Sequence, residues 1–520
     1  MKLNYKRTIL VGFAFFLISA FWQAYDATIP VILTNKFGMS QTWSGVIMAL
    51  DNILAVFMLP LFGALSDKCN SRHGKRTPFI VIGTLVASIA LLGLSFVDNT
   101  QLNNISAVSK IDDPAALEVI YDTQAHKELM TPDGEKFILA DEFTREEFTA
   151  VTSQITDPDN SDKLITNPDY TNFVAPARQA YAAEATAENP TPLILFVALL
   201  LLILLAMAIF RSPAVALMPD VTVKPLRSKA NAVINLMGTA GGILVLVLGM
   251  VFATSAVNNQ LMNYYVYYGV VAGIMLSALA IFVLTVRETS WAKQMVSDSF
   301  RFGIEEEQMQ KSQNRGLNRD EKRSLLFILA SIALWYFGYN AVTSKYAVYA
   351  GNILNMDYNI TLLLAQGAAI VAYLPAGMVA SKIGRKKTIM AGVVMLTTAF
   401  ACASFMRSGS SVLLMNVLFA LAGIGWATIN VNSFPMVVEM CSGGDIGKYT
   451  GYYYTASMSA QILTPMLSGA LMKVEGLGMT VLFPYATIFA ALAFVTMAMV
   501  RHGDAKPEAK KGLEALDTED

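Results

Sequence analysis

Charge is scarce in this chain: 15% of the 520 residues are charged and 54% are hydrophobic. The mean hydropathy is +0.48, which excludes an ordinary water-soluble enzyme. Histidine is nearly missing. His73, His126 and His502 all lie outside the long apolar runs, and no nucleophile and base pair is evident, so catalysis and a cofactor are not expected. The three cysteines, Cys69, Cys402 and Cys441, show neither CxxC nor metal-ligand spacing, which excludes a disulfide framework and a metal site. No GxxxxGK[ST] loop is present to hold ATP phosphates. Nor is there a basic excess that would indicate nucleic acid: Lys and Arg number 38 against 39 Asp and Glu. That balance hides an asymmetry, net −12 from Asp98 to Glu188 and net +11 elsewhere.

What the chain has instead is apolar length. A helix needs about 20 mostly apolar residues to cross a bilayer, and twelve such stretches occur, near 8–34, 41–66, 77–97, 192–219, 229–256, 263–286, 323–350, 359–381, 388–407, 411–438, 446–472 and 480–500. The first carries Asp26 and runs on into another span, unlike a cleaved signal peptide. Lys and Arg collect on one side: Lys2, Lys6 and Arg7; Lys68 to Arg76; Lys224 to Lys229; Lys293 to Arg323; Lys382 to Lys387; and Arg501. The short loops of the other side hold only Lys36, Arg407 and Lys473. By the positive-inside rule both termini are expected in the cytoplasm of a cell with an inner membrane, and the acidic 98–190 segment outside.

The spans repeat. Phe21 to Ala27 aligns with Trp335 to Ala341 at an offset of 314, and Gly63 to Lys68 with Gly377 to Lys382 at the same offset. Further on, Arg211 to Leu244 aligns with Asn430 to Leu463 at an offset of 219, which sets Asp220 on Glu439 and Lys229 on Lys448. Removing 98–190 leaves two six-helix halves, 1–97 with 191–286 and 323–501, joined by a 287–322 linker and followed by a 502–520 tail. Parallel six-helix repeats with a charged linker describe the major-facilitator architecture, with substrate held near the midplane between the halves. The fold class expected is an all-α membrane protein of twelve transmembrane helices with a small external insert between helices 3 and 4.

The residues also carry a family resemblance. Gly63-Ala-Leu-Ser-Asp67-Lys68 with Gly74-Lys75-Arg76 resembles the major-facilitator loop signature, and Gly377 through Lys387 resembles its second copy. The run Pro60 to Ile80 is similar to that of sucrose and related glycoside:cation symporters, including the proton-associated sugar transporters. Arg211 to Asp220 with Arg227 to Ala232 is similar to bacterial members of that group. One position departs: plant sucrose carriers have an arginine two residues after the fourth-span proline, where Val215 stands here, while Arg211 lies two before Pro213. The resemblance implies import of a glycoside, a disaccharide by preference, by proton or sodium symport.

Ionisable groups inside a membrane are costly and tend to face a cavity. Asp26 and Asp51 lie at similar depth, about 12 and 15 Å below the outer boundary at helical rise. Two nearby carboxylates would take up one proton or share a cation such as Na⁺, which makes them the candidate coupling pair. Arg211 either snorkels or faces a cavity; its repeat partner Asn430 is polar too, which fits a shared cavity face. Sugars are held by aromatic faces and planar amides. Those types cluster at mid-helix as Trp22, Gln23, Tyr25, Asn52, Asn235, Tyr336, Tyr339, Asn340, Trp426, Asn430 and Gln461. The stripes Asn231, Asn235, Gly238, Gly242 and Thr450, Tyr454, Ser457, Gln461 either line that cavity or pack helices closely. Asp67, Arg72, Lys75 and Arg76, with Asp220 and Glu439, are the candidate gate.

In the insert, Thr131 to Gly134 reads as a turn, Lys136 to Ala140 as a strand, and Thr144 to Ile155 as a helix opened by a capping box with Glu147. The rival functions are export or antiport of another small organic molecule on the same scaffold, and a sugar sensor that does not transport. A monomer in the bilayer is expected, with a small molecule as the only other partner.

Overall fold

The computed structural model describes residues 2–132, 135–157, 160–254, 256–301, 317–354, 358–407, 410–441, 445–472 and 478–504. Lys473, the Asp133-Gly134 end of the expected turn, residues 302–316 of the linker and most of the tail lie outside the described residues. Twelve long helices match the twelve apolar stretches. In the first half they are α1 (Tyr5–Asn35), α2 (Gln41–Lys68), α3 (Thr77–Asn104), α4 (Thr191–Asp220), α5 (Arg227–Val251) and α6 (Tyr265–Thr285). In the second they are α7 (Arg319–Tyr349), α8 (Tyr358–Ile383), α9 (Arg385–Ala403), α10 (Val412–Glu439), α11 (Ile446–Met472) and α12 (Leu482–Ala498). Among the described residues, eleven of them are long and apolar enough to cross a membrane. The twelfth, α11, falls short in hydropathy because Thr450, Ser457, Gln461 and Thr464 line it.

Local chemistry sets the helix starts. Asn4, Ser40 and Ser411 cap α1, α2 and α10 by accepting the N–H of Arg7, Trp43 and Leu414. Pro78 opens α3 at a position where its missing N–H costs nothing.

The helices pack as the repeat requires. α1 packs on α5 as α7 does on α11, α2 on α4 as α8 on α10, and α3 on α6 as α9 on α12. The halves meet through α2 on α11 and, symmetrically, α8 on α5. Small residues allow these approaches: a side chain on Gly63 would overlap the carbonyl of Gly447, and one on Gly451 the backbone of Pro60. Gly238 and Gly241 of α5 lie against α1 at Phe15, Phe16 and Ser19, so this part of the α5 stripe packs helices.

The insert is a small α+β unit with its own core of Ile105, Leu117, Ile120, Phe137, Leu139, Phe148 and Tyr170. Two antiparallel ribbons form, β1 (Glu128–Met130) with β2 (Lys136–Ile138) and β3 (Gln154–Asp157) with β4 (Asn160–Thr166). The Thr144–Glu147 capping box is present, but its helix ends at Thr149 rather than Ile155. The β-branched residues Val151, Thr152, Ile155 and Thr156 follow, and pairing of Ile155 with Ile165 takes the segment into a strand. The Lys136 strand likewise stops at Ile138, where Leu139 begins one helical turn. α3 runs beyond the expected 97 to Asn104, because Asp98 is fully buried against Lys36 at 2.6 Å. Gln101 donates to the Lys36 carbonyl and to Thr186 of the insert, and Gln179 to Asn35, which seats the insert on the first half. The end bearing the insert is called the insert end below, and the opposite one the linker end.

Candidate transport cleft and gate

The expected site residues gather around one cleft between the halves. Arg211 of α4 is its hub: the guanidinium lies 5.5 Å from the ring centroid of Trp22 on α1 and 4.9 Å from that of Tyr454 on α11. Asp26 and Asp51 lie within electrostatic range of each other and of Arg211. Asp26 is exposed in the middle of α1, whereas Asp51 is half-buried. Asp51 takes the backbone N–H of Asn52, which is the one described role of that residue.

The second half contributes an aromatic platform. Tyr339 stacks on Trp426 with centroids 3.7 Å apart and planes 4° from parallel, and Tyr336 meets the same indole edge-on at 5.1 Å. Trp22 packs edge-on against Tyr25 at 5.2 Å. Around the cleft, several polar atoms have no hydrogen-bond partner in the protein: Trp22 Nε1, Tyr25 Oη, Asp51 Oδ1, Arg211 Nε and Asn340 Nδ2. Unsatisfied buried polar atoms are costly, and five of them around one cleft suit a ligand rich in hydroxyls.

Other expected residues do less. Asn235 donates to the Asn231 carbonyl one turn back in its own helix, at 2.7 Å. Gln461 reaches only the Met458 sulfur, at 3.5 Å. Asn430 interacts with Tyr373, a residue that nothing in its sequence surroundings singles out. Gln23 faces Gly242 across α1 and α5. Asn231 instead joins the halves, donating to the carbonyl of Val431 at 2.7 Å.

The cleft is sealed at the linker end by one device built twice. Arg76 donates Nε to Asp220 at 2.6 Å and Nη2 to Asp67 at 2.5 Å, with Ser66 as a third partner. Arg385 donates Nη1 to Glu439 at 2.6 Å and Nε to Ser228 at 3.0 Å. Asp67 crosses between the halves by accepting the N–H of Gly447 at 2.8 Å and of Lys448 at 2.9 Å, the first turn of α11. A carboxylate there meets the positive end of the helix dipole. Across the other seam Glu439 lies 3.7 Å from Arg227 and 3.8 Å from Lys224. The ion pairs and carboxylate contacts that join the halves fall at this linker end, while Thr455 donates to the Val56 carbonyl and Tyr454 bonds Arg211 nearer the middle. The charged seal thus stands at the linker end of the cleft.

Arg72 is exposed and stands apart from this network, and the Lys75 side chain is exposed as well, although its N–H is used. Two gate residues are not evident from the sequence. Glu288 accepts the N–H groups of Lys75, Arg76 and Thr77 at 2.6 to 3.1 Å, and Asp504 does the same for Arg385 and Lys386 at 2.6 and 3.2 Å. Burial pushes the Glu288 carboxyl up, while the hydrogen bonds from Arg76 and Thr77 oppose it. The available signal is a glycine before each basic pair. Gly74 and Gly384 hold φ of +114° and +94°, which lets the carboxylates approach. Beneath the first gate is a cavity of about 440 Å³ whose lining includes Cys69, Lys75, Glu288 and Cys441.

A two-repeat helical bundle with a central cleft and paired gates defines the class of fold seen in secondary carriers. Residues 10–103 match the family model for MFS/sugar transport proteins, and residues 359–517 that for the Major Facilitator Superfamily. The two matched segments lie in different parts of the chain, the first within α1 to α3 and the second from α8 onward, and each resembles facilitator transporters there. Over 72 residues, 14% of each chain, it is 37% identical to the Sucrose transport protein SUC4 of Arabidopsis thaliana. Over 70 residues it is 40% identical to the human Proton-associated sugar transporter A, covering 14% of this chain and 9% of that one. These matches thus span at most about one seventh of those relatives. Among solved structures, the proton:xylose symporter XylE aligns over 99% of this chain and 98% of its own, with a TM-score of 0.58 and 15% identity. FucP in the outward conformation aligns over 95% and 98%, with a TM-score of 0.59 and 12% identity. Both share the fold.

Proposed function

We propose that this protein is a secondary carrier that imports a glycoside of disaccharide size by symport with a proton or sodium ion, working by alternating access. The observation that carries this reading is the convergence of Asp26, Asp51 and Arg211 with the aromatic faces of Trp22, Tyr339 and Trp426 in a cleft closed at the linker end. The local likeness to sucrose transport and proton-associated sugar transport proteins supports the substrate class.

In this reading both termini lie in the cytoplasm, the insert lies outside the inner membrane, and the monomer is the working unit. The cleft receives the sugar from outside. Pyranose faces lie against Trp426 and Tyr339, and hydroxyls satisfy Trp22 Nε1, Tyr25 Oη and Asn340 Nδ2. The cation neutralises the Asp26 and Asp51 pair, which Arg211 balances only in part. Neutralisation lowers the cost of closing the insert end over the site. The linker end then opens by parting Asp67 from α11 and Glu439 from Arg227 and Lys224. Coupling follows because the empty cleft keeps a net negative charge and resists occlusion.

The test is uptake of labelled maltose, sucrose, trehalose, a β-glucoside and a monosaccharide into proteoliposomes under separately imposed proton and sodium gradients. Accumulation of a disaccharide under one gradient supports symport. Binding without uptake would point to a sensor, and neither binding nor uptake to export of another molecule.

A further inference from the structure

Arg178 lies on the Ala175–Glu188 helix that ends the insert, and its side chain is 3% exposed. Its Nε, Nη1 and Nη2 have no hydrogen-bond partner in the protein. The guanidinium carbon lies 5.9 Å from the ring centroid of Tyr170. Burial presses the guanidinium pKa down, with the charges of Tyr170 and Asp112 opposing it. Arginine nevertheless keeps its proton in proteins, so a positive charge stays in a place poor in water. Asp112 lies within electrostatic range but bonds elsewhere: Oδ1 accepts the Ser153 N–H at 2.6 Å and Oδ2 the Ser153 hydroxyl at 2.6 Å.

The unused donors adjoin a cavity of about 10 Å³, lined by Arg178 with Asn35, Tyr170, Gln179, Gln260 and Leu261 among others. That volume admits one water-sized occupant. The cavity lies at the seam between the insert and the first half: Asn35 ends α1, Gln179 donates to Asn35 at 2.9 Å, and Leu261 packs into the insert core from the chain that leads to α6.

We propose that this cavity binds a single monatomic anion, chloride, on the Arg178 guanidinium, and that the anion fastens the insert to the first six-helix half. Size selects the class of ligand, because phosphate, sulfate and organic carboxylates exceed a one-atom space. Charge selects it again, because a water molecule would satisfy the N–H groups but leave the buried cation balanced only by the unbonded charge of Asp112. Gln260, which also lines the cavity, carries a neutral amide donor of the kind that suits a halide. This inference stands apart from the transport reading, since no cleft or gate residue takes part.

The test uses the full-length purified chain. Thermal unfolding is followed as gluconate is replaced by chloride or bromide at constant sodium concentration and ionic strength. The wild type should gain several degrees, saturably, with either halide, and Arg178→Gln should not respond. In parallel, ³⁵Cl NMR line broadening on the wild type reads binding without reliance on the variant, and bromide should displace it. A wild-type unfolding temperature indifferent to halide, or a response that persists undiminished in Arg178→Gln, overturns the proposal. If the variant does not fold, saturable ³⁵Cl broadening supports the site, and its absence overturns it.

Discussion

Asp67 in the first half accepts the backbone N–H of Gly447 in the second, at 2.8 Å, at the one place where α2 and α11 approach glycine to glycine. In the proposed cycle the contact exists only while the linker end is shut, so it would stabilise the state in which the cleft faces the insert end. A hydrogen bond to a charged group contributes about 1.5–3 kcal/mol, and Asp67 makes two across the seam.

Asp67→Ala should therefore shift the population toward the linker-open state by about 100-fold or more. Cys441 is 4% exposed beside this gate and becomes the reporter. With Cys69 and Cys402 changed to serine, maleimide labelling of Cys441 should speed up in the Asp67→Ala background. An unchanged rate would remove Asp67 from the gate.

Gly63→Val should have a related but harsher effect, because even its Cβ would overlap the Gly447 carbonyl. The helices cannot meet at that distance. Uptake should fall to background in protein that still inserts and unfolds cooperatively, with Cys441 labelled rapidly. Retained uptake would mean that the close approach is not needed in the cycle.

Arg211 contacts aromatic faces from both halves, each such contact contributing about 0.5–2 kcal/mol. Arg211→Gln should raise the half-saturating sugar concentration by about tenfold or more. Lysine should rescue only partly, since it lacks the planar fork. Equal behaviour of Lys and wild type would argue for a simple charge role.

Removing the Trp426 face, against which Tyr339 lies at 3.7 Å, should weaken sugar binding by about 1–2 kcal/mol while leaving gradient coupling intact. Trp426→Ala measured by isothermal titration and by uptake separates the two. Lost coupling with unchanged binding would contradict the assignment.

Lys36 and Asp98 form a fully buried pair at 2.6 Å where the insert joins α1 and α3. Lys36→Met should strand the carboxylate and destabilise the protein by about 3–5 kcal/mol, and adding Asp98→Asn should recover much of that. Thermal unfolding of the single and double variants checks the sign and the recovery.

Much of this was legible in the sequence, for identifiable reasons. Apolar length located α1 to α12, and the two offsets showed which helices of the two halves correspond; the corresponding pairs then pack alike. Asp220 and Glu439 aligned at an offset of 219, and each proves to hold a buried arginine. Asp26 and Asp51 were visible because charge in an apolar helix is rare. Glu288 and Asp504 were not, since acids in polar segments are commonplace and their partners are backbone N–H groups far along the chain. Tyr454 stood only in a polar stripe of α11, and its contact with Arg211 depends on how the two halves meet. The capping box fixed where the Thr144 helix begins but not where it ends, because pairing with β4 decides that.

The most direct test of the central claim compares gradient-driven accumulation with sugar exchange in proteoliposomes carrying wild type, Asp26→Asn or Asp51→Asn. The account predicts that at least Asp26→Asn loses accumulation under the coupling-ion gradient while counterflow of the same sugar continues. Accumulation at the wild-type level in both variants would contradict it.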